Sequence, residues 1–129
     1  MNKIIVEVSI GELLDKISIL EIKQGKIKDP EKLKFINNEH SILKIQLENN
    51  IKSDEKLNSL YQSLKEINAK LWVIEDDKRQ CEKDKDFGEK FIKLSRDVHF
   101  LNDDRAKIKL EINNHTGSTI KEIKEYTSY

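Results

Sequence analysis

Residues 53–84 read SDEKLNSLYQSLKEINAKLWVIEDDKRQCEKD. Apolar or nearly apolar residues recur in this stretch at alternating intervals of three and four, the heptad rhythm of packed helices. The repeating positions are Leu57, Leu60, Leu64, Ile67, Leu71, Ile74, Lys78 and Cys81. Ser53-Asp54 supplies a helix start in front of the first Leu. The stretch therefore predicts one long helix over residues 54–84 and, with it, an all-α fold.

The same spacing of apolar residues continues on the N-terminal side of this helix. It predicts a helix over 10–27, opened by a capping box in which Ser9 and Glu12 satisfy each other's backbone amides. A second helix over 30–50 starts at Asp29-Pro30, with Asp as the cap and Pro in the first turn. Residues 3–8 are β-branched and predict a short strand before the first helix.

Towards the C-terminus the rhythm predicts a fourth helix over 87–115, with Asp86 and Glu89 as a second capping box. Gly117 suits a C-terminal cap because it can adopt a positive φ. The tail, residues 118–129, fits either a short strand or a helical turn.

Short connections predict that successive helices run antiparallel, which gives a coiled-coil-like bundle of two helical hairpins in one domain, residues 1–129. The second hairpin is longer than the first, so part of it is left uncovered. A symmetric partner chain is the simplest cover, and a homo-oligomer or a contact with another helical protein is therefore expected.

The charge balance excludes several classes of partner. The 129 residues carry 24 Lys+Arg and 24 Asp+Glu, with no segregation along the chain, so neither nucleic acid nor a membrane surface is an expected partner. No apolar run approaches the length of a membrane span, and the N-terminus lacks the pattern of a signal peptide. A single cysteine forms no internal disulfide. The cytoplasm is the predicted location.

Charged residues also interrupt the apolar faces of the helices. A helical wheel places them where core residues belong, and a buried charge is costly unless it is paired. These candidates for a buried polar network are Glu21, Glu75, Lys78, Arg79 and Arg105. The predicted partner of Arg105 is Glu21 or Glu75. The network is interpreted as a set of ion pairs that fixes helix register, and the alternative is a polar pocket for a ligand.

Motifs for catalysis or metal binding are weak. The three His residues are isolated, and Cys81 occupies a core position of the heptad. Glu12 and Asp15 share one helix face and are weak candidates for Mg²⁺, but a second acidic pair at the same spacing is missing. The simpler interpretation is that Glu12 caps its helix and pairs with Lys16. No metal, cofactor or catalytic residue is predicted.

An anionic ligand is the remaining chemical possibility. In so Lys-rich a chain, Arg stands at only three positions, and Arg recognises carboxylates and phosphates better than Lys does. The candidates for anion binding are Arg79, Arg96, Arg105 and Lys109.

Several stretches together resemble a family of short helical proteins of bacteria and phages whose function is unknown. They are residues 8–17, 19–23 and 71–76 with Arg79 and Glu82, then residues 87–88, 91–92, 94–96, 102–103, 105–106, 108–109, 111–113, 117–118 and Tyr126. The resemblance implies a loose association with surface-polysaccharide and glycosyltransferase contexts. It implies no catalytic residues.

The sequence favours a non-catalytic interaction or assembly module that forms homo-oligomers. The alternative is a small all-α enzyme or ligand binder, similar to a mutase or a nucleotide pyrophosphohydrolase, that holds an anionic small molecule in a polar pocket of the bundle.

Overall fold

A computed structural model describes residues 2–129 and contains four α-helices: α1 (Ile10–Lys26), α2 (Pro30–Asn50), α3 (Glu55–Asp84) and α4 (Glu89–Thr116). The all-α fold with four helices is confirmed. The strand predicted over residues 3–8 is wrong, since no strand occurs within the described part of the chain. Ile4 and Ile5 are almost fully exposed, and β-branched residues form a strand only when a neighbouring strand accepts their backbone hydrogen bonds.

Side-chain caps start the first three helices. The Ser9 hydroxyl accepts from the Glu12 amide at 3.1 Å, Asp29 accepts from the Glu31 amide, and Asp54 accepts from the Leu57 amide at 2.7 Å. The predicted caps Ser9 and Asp29 are confirmed. The first capping box is only half formed, because the Glu12 side chain turns instead to α4.

The start of α4 differs from the prediction. Its N-cap is Gly88, which makes no side-chain hydrogen bond, and the helix begins at Glu89. Asp86, the predicted cap, accepts from the Gly88 amide in a local turn instead. At the other end of α4, Gly117 has φ 70° and closes the helix as predicted.

The helices pack around α1, which contacts each of the other three. α3 and α4 form the most extensive pair, whereas α2 packs mainly along α1 and contains no buried residue. The apolar core joins α1, α3 and α4 through Leu14, Leu57, Leu64 and Ile112. Burying a side chain of this kind stabilises the fold by about 1.5–3 kcal/mol.

Burial is concentrated at one end of the α3–α4 pair. All the buried residues of α4 lie between Lys109 and Asn113, and after Leu71 the only buried residue of α3 is Cys81. Part of the long pair is thus uncovered, because α1 crosses it near one end. No described helix is both long and apolar enough to cross a membrane.

The tail after Gly117 is neither strand nor helix. Residues 118–129 run back along α4 without regular secondary structure. Ser118 is buried and its hydroxyl accepts from the Ile10 amide at 3.2 Å. Glu122 lies 3.2 Å from Lys109, and Tyr129 donates to Asp103 and packs against His99 and Phe100. The tail takes its path from these side-chain contacts rather than from a backbone ladder.

Candidate functional site

A buried polar network links α1, α3 and α4. Asn68 of α3 donates from Nδ2 to Asp15 Oδ1 and to Ser18 Oγ, both at 2.8 Å. Arg105 of α4 donates from Nη1 to Asn68 Oδ1 at 3.1 Å and from Nη2 to Asn102 Oδ1 at 2.8 Å. Asp15, Ser18 and Asn68 are all buried. The network replaces apolar packing at the place where three helices meet.

The orientation of the Asn68 amide follows from its partners. Both N–H groups of an amide are donors and its oxygen is an acceptor. Since Asp15 and Ser18 take both donors, the oxygen of Asn68 faces the guanidinium of Arg105. Asn68 therefore connects a buried carboxylate to an arginine without an ion pair between them.

Asn68 was not predicted from the sequence, since the candidates for the buried network were all charged residues. A signal was present, because Asn68 lies four residues after Leu64 on the buried face of α3. Ser18, fully buried beside Ile17, was not predicted either, because it too is uncharged.

The N-terminus of α1 is fixed to the end of α4. The Gly11 amide donates to Asn113 Oδ1 at 2.7 Å, and a Cβ on Gly11 would lie 2.7 Å from the backbone oxygen of Lys109. Only glycine permits so close an approach of a helix to a neighbouring backbone. The contact brings the acidic residues of the first turn of α1 against α4.

Lys109 neutralises these acidic residues. Its ammonium lies 2.6 Å from Glu12 Oε2, 4.0 Å from Asp15 Oδ2 and 3.2 Å from Glu122 Oε2. The hydrogen bond from Lys109 holds the pKa of Glu12 below its ordinary value, despite partial burial. Burial alone would lower the pKa of Lys109, but the surrounding carboxylates outweigh it and raise that pKa.

Glu12 and Asp15, the weak candidates for Mg²⁺, interact with Lys109. Glu12 and Asp15 face the same ammonium, which stands where a cation would bind. Among residues 2–129, no cluster of three or more His, Cys, Asp or Glu side chains is arranged to hold a metal ion. The predicted pairing of Glu12 with Lys16 is replaced by the pairing with Lys109.

A second polar cluster surrounds Glu21, at the junction of α1, α2 and α3. Glu21 accepts from the Tyr61 hydroxyl and lies 3.0 Å from His40 Nε2 and 3.3 Å from Lys65 Nζ. Burial would raise the pKa of Glu21, but these three hydrogen bonds outweigh it and lower the pKa. Burial and the same carboxylate raise the pKa of Tyr61.

The predicted partner of Arg105 was therefore wrong. Glu21 pairs with Tyr61, His40 and Lys65, and no carboxylate of residues 2–129 lies within 4.0 Å of the Arg105 guanidinium. The hydrogen-bond partners of Arg105 are the two amides of Asn68 and Asn102. The register of the helices places neutral groups where sequence reasoning placed a charge.

Burial of Glu75 and Arg79 was also predicted wrongly, since both are exposed. They lie on α3 beyond Leu71, where little covers the helix. Lys78 is half-buried, and its ammonium lies 5.8 Å from the centre of the Phe91 ring, a cation–π distance. Cys81 is buried, as its heptad position indicated.

The four candidates for anion binding do not converge. Arg105 and Arg79 line one cavity of about 300 Å³ between α1, α3 and α4, together with Trp72 and the apolar residues Ile19, Ile22 and Leu71. Arg96 is exposed on another face of α4, beside Asp97. Lys109 is occupied by three carboxylates. The structure thus brings two of the four together.

The fold and this cavity define a small four-helix protein with a polar network at the junction of three helices. The chain belongs to the family DUF6165, a family of unknown function, which matches residues 4–129. No curated protein and no solved structure matches the chain.

Proposed function

We propose that this chain is a non-catalytic helical assembly module that forms a symmetric homodimer through the outer face of α3 and α4. The observation that carries the proposal is an apolar groove of about 650 Å³ between these two helices. Its lining consists of apolar side chains with one charge of each sign, namely Ala69, Lys70, Val73, Ile74, Asp97, Phe100 and Leu101.

The groove lies on the side of the pair that α1 leaves open. Val73 follows the buried core residue Leu64 by nine residues, which is about half a turn around an α-helix. Val73 is 49% exposed and Phe100 is 40% exposed. Contiguous apolar surface of this kind marks interaction sites in proteins.

Charge complementarity favours a second copy of the chain as the occupant. Lys70 stands on α3 and Asp97 on α4, at the same groove, and Asp97 also pairs with Lys93 of its own helix at 2.7 Å. A two-fold axis through the groove places Lys70 of each copy opposite Asp97 of the other, which gives two equivalent ion pairs. The zero net charge of the chain adds no overall repulsion between copies.

The size of the face also suits a dimer. The whole outer face of a helix pair of this length is about 40 Å long and about 20 Å wide, roughly 800 Å², so it leaves room for one side of a stable interface centred on the groove.

Sedimentation velocity over a range of concentrations tests the proposal. The wild-type chain is expected to sediment as a dimer. Val73→Glu and Phe100→Glu are expected to give folded monomers, because each places a charge in an apolar interface. Phe35→Glu is the matched control: Phe35 is 74% exposed on α2, far from the groove, so this variant should remain dimeric.

A charge swap tests the register of the dimer. Lys70→Asp and Asp97→Lys should each weaken the dimer by about ten-fold, because like charges then face each other. The double variant restores opposite charges and should dimerise as the wild type does. A wild-type chain that stays monomeric at high concentration, or a dimer broken only by Phe35→Glu, would contradict the proposal.

Two descriptions of the whole chain belong to the same proposal. We propose that residues 1–129 act as one domain built from two antiparallel hairpins. In the first hairpin, contacts join residue 21 with 40 and residue 24 with 37. In the second hairpin, contacts join residue 54 with 115, residue 68 with 105 and residue 78 with 91. The cytoplasmic location, the bacterial or phage origin and the surface-polysaccharide context stay predictions.

A further inference from the structure

We propose that the cavity between α1, α3 and α4 binds a small organic anion: a carboxylate attached to a flat ring that also carries a hydrogen-bond donor. The anion would be held by Arg105, its ring would lie against Trp72, and its donor would face the acidic residues at the mouth. The site is separate from the proposed dimer groove, since Trp72 and Val73 are neighbours about 100° apart on α3.

Arg105 is a cation with unused hydrogen-bond donors. Its guanidinium is half-buried and uses two of its five N–H donors on neutral amides. Within residues 2–129 no carboxylate lies within 4.0 Å of it. Arg105 has an attraction to Glu12 at longer range and reaches Asp15 only through Asn68, so no carboxylate bonds its guanidinium directly. A planar guanidinium with free donors matches the two oxygens of a carboxylate.

Arg105 is held in place by its neighbours. The buried amide of Asn68 is fixed by Asp15 and Ser18, and Asn102 holds the second terminal nitrogen of the guanidinium. A binding group that is positioned before its ligand arrives loses little conformational entropy on binding.

The walls of the cavity suit an organic ligand. Ile19, Ile22, Leu71 and Trp72 make most of the lining apolar, which suits the carbon skeleton of a ligand and not an inorganic ion. An indole ring stacks on flat rings with a gain beyond simple burial. A volume of about 300 Å³ suits a molecule with one ring.

The charges at the mouth restrict the ligand further. Arg79 lines the cavity and has no carboxylate within 4.0 Å in the described chain, but Glu75 and Asp76 line it as well. Two cations and two carboxylates give a neutral lining, which disfavours a polyphosphate through repulsion from the carboxylates. A single carboxylate can pair with Arg105, with Arg79 as a further positive charge of the lining, and a hydroxyl or amino group on the ring can donate to Glu75 or Asp76.

Trp72 is the only tryptophan in the chain, so its fluorescence reports directly on this cavity. A titration with 4-hydroxyphenylacetate, 4-aminobenzoate and L-tyrosine is the test, with sodium acetate and inorganic phosphate as arms that lack a ring. At least one ring carboxylate is expected to change the fluorescence saturably and to raise the unfolding temperature. The neutral 4-hydroxyphenylacetamide should bind about ten-fold more weakly or worse.

Variants then assign the binding to the two arginines. Arg105→Lys, which keeps the charge but loses the planar fork, and Arg79→Met should each weaken binding by about ten-fold. Arg96→Met is the matched control, since Arg96 lies on another face of α4, and it should bind as the wild type does.

Three results would overturn the inference. They are no saturable response to any of the ring carboxylates, equal binding of the neutral amide, and unchanged binding by both Arg105→Lys and Arg79→Met. Acetate or phosphate binding as tightly as the ring carboxylates would refute the role of Trp72. Fluorescence and sedimentation are separate measurements, so failure of this site leaves the proposed dimer standing, and the reverse also holds.

Discussion

Gly11 is the residue at which α1 meets the backbone of α4 most closely. A Cβ at this position would lie 2.7 Å from the Lys109 carbonyl oxygen and 3.0 Å from Asn113 Oδ1. We expect Gly11→Ala to lower the free energy of unfolding by about 1–3 kcal/mol, because the backbone of α4 must move to make room. Urea denaturation at neutral pH measures the change.

Gly25 provides the control for this prediction. It lies in the last turn of α1 with nothing within 4 Å of a Cβ position. Gly25→Ala should be neutral or stabilising by up to about 1 kcal/mol, since alanine favours helix and meets no obstacle. Equal effects of the two substitutions would show that helix propensity, and not the contact with α4, governs Gly11.

For single residues, the sequence predicted which polar side chains lie on the core faces of the helices, but not which residues they bond. The wheel placed Glu21 and Arg105 among the core positions of their helices, and in the structure both are half-buried. Their partners depend on the axial register between helices, and a shift of one turn exchanges one set of partners for another. Asn68 could have been found from its position four residues after Leu64, whereas the contact of Glu12 with Lys109 joins residues too distant in sequence to be paired from a wheel.

Of the four helices, α2 makes the fewest stabilising contacts with the rest of the bundle. It has no buried residue and packs mainly on α1. We expect its amides to exchange with solvent through local opening, at a free energy well below that of global unfolding, because little apolar area is lost when the helix detaches. Native-state hydrogen exchange followed by mass spectrometry measures this.

α1 is the internal reference for the exchange experiment. It contacts the other three helices and contains the fully buried residues Ile17 and Ser18. Its central amides should exchange only through global unfolding. Equal protection of α1 and α2 would mean that α2 is an integral part of the cooperative unit.

Hydrophobic periodicity and capping residues explain why the four helices could be predicted from the sequence. The rhythm of three and four, with Ser9, Asp29 and Gly117 at helix ends, is local information, and it gave four helices. The strand at residues 3–8 failed because a strand needs a partner that local sequence does not reveal. The start of α4 was misplaced because Asp86 satisfies a turn as readily as it caps a helix.

For the whole molecule, acid should reduce stability through Glu12 and Glu21. Both have a pKa below the ordinary value of 4.5 in the folded chain. Below about pH 5 the unfolded chain therefore binds more protons than the folded chain does. The stability that Glu12 and Glu21 contribute is complete above this pH and is lost as the pH falls through their pKa in the folded chain. Urea midpoints at a series of pH values measure the loss.

Glu12→Gln isolates one of these contributions. The variant should be less stable than the wild type at pH 7, and the two should converge as the pH falls, because protonation removes the same charge from the wild type. Glu66→Gln, at an exposed position without an ion pair in residues 2–129, should track the wild type throughout. A constant gap between Glu12→Gln and the wild type would contradict this assignment.

High pH should also reduce the stability of these clusters, through deprotonation of Lys109 and Tyr61. The pKa values of Lys109 and Tyr61 are raised above their ordinary values of 10.5 and 10.0. The stability that they contribute is complete below those values and is lost as the pH rises through the folded pKa. The same pH series should therefore show a plateau that extends from mildly acidic pH to about pH 9.

The contacts at the start of α1 tie the beginning of the chain to its end. Gly11 is held by Asn113, Ile10 by Ser118 and Glu12 by Lys109, and the first two of these pairs are separated by 102 and 108 residues. Each of these contacts closes a loop of about one hundred residues, which raises the contact order far above that of helices packed only on their sequence neighbours. Bringing such distant segments together costs chain entropy before any contact repays it. We therefore expect the docking of α1 on residues 109–118 to be a late step of folding that limits its rate.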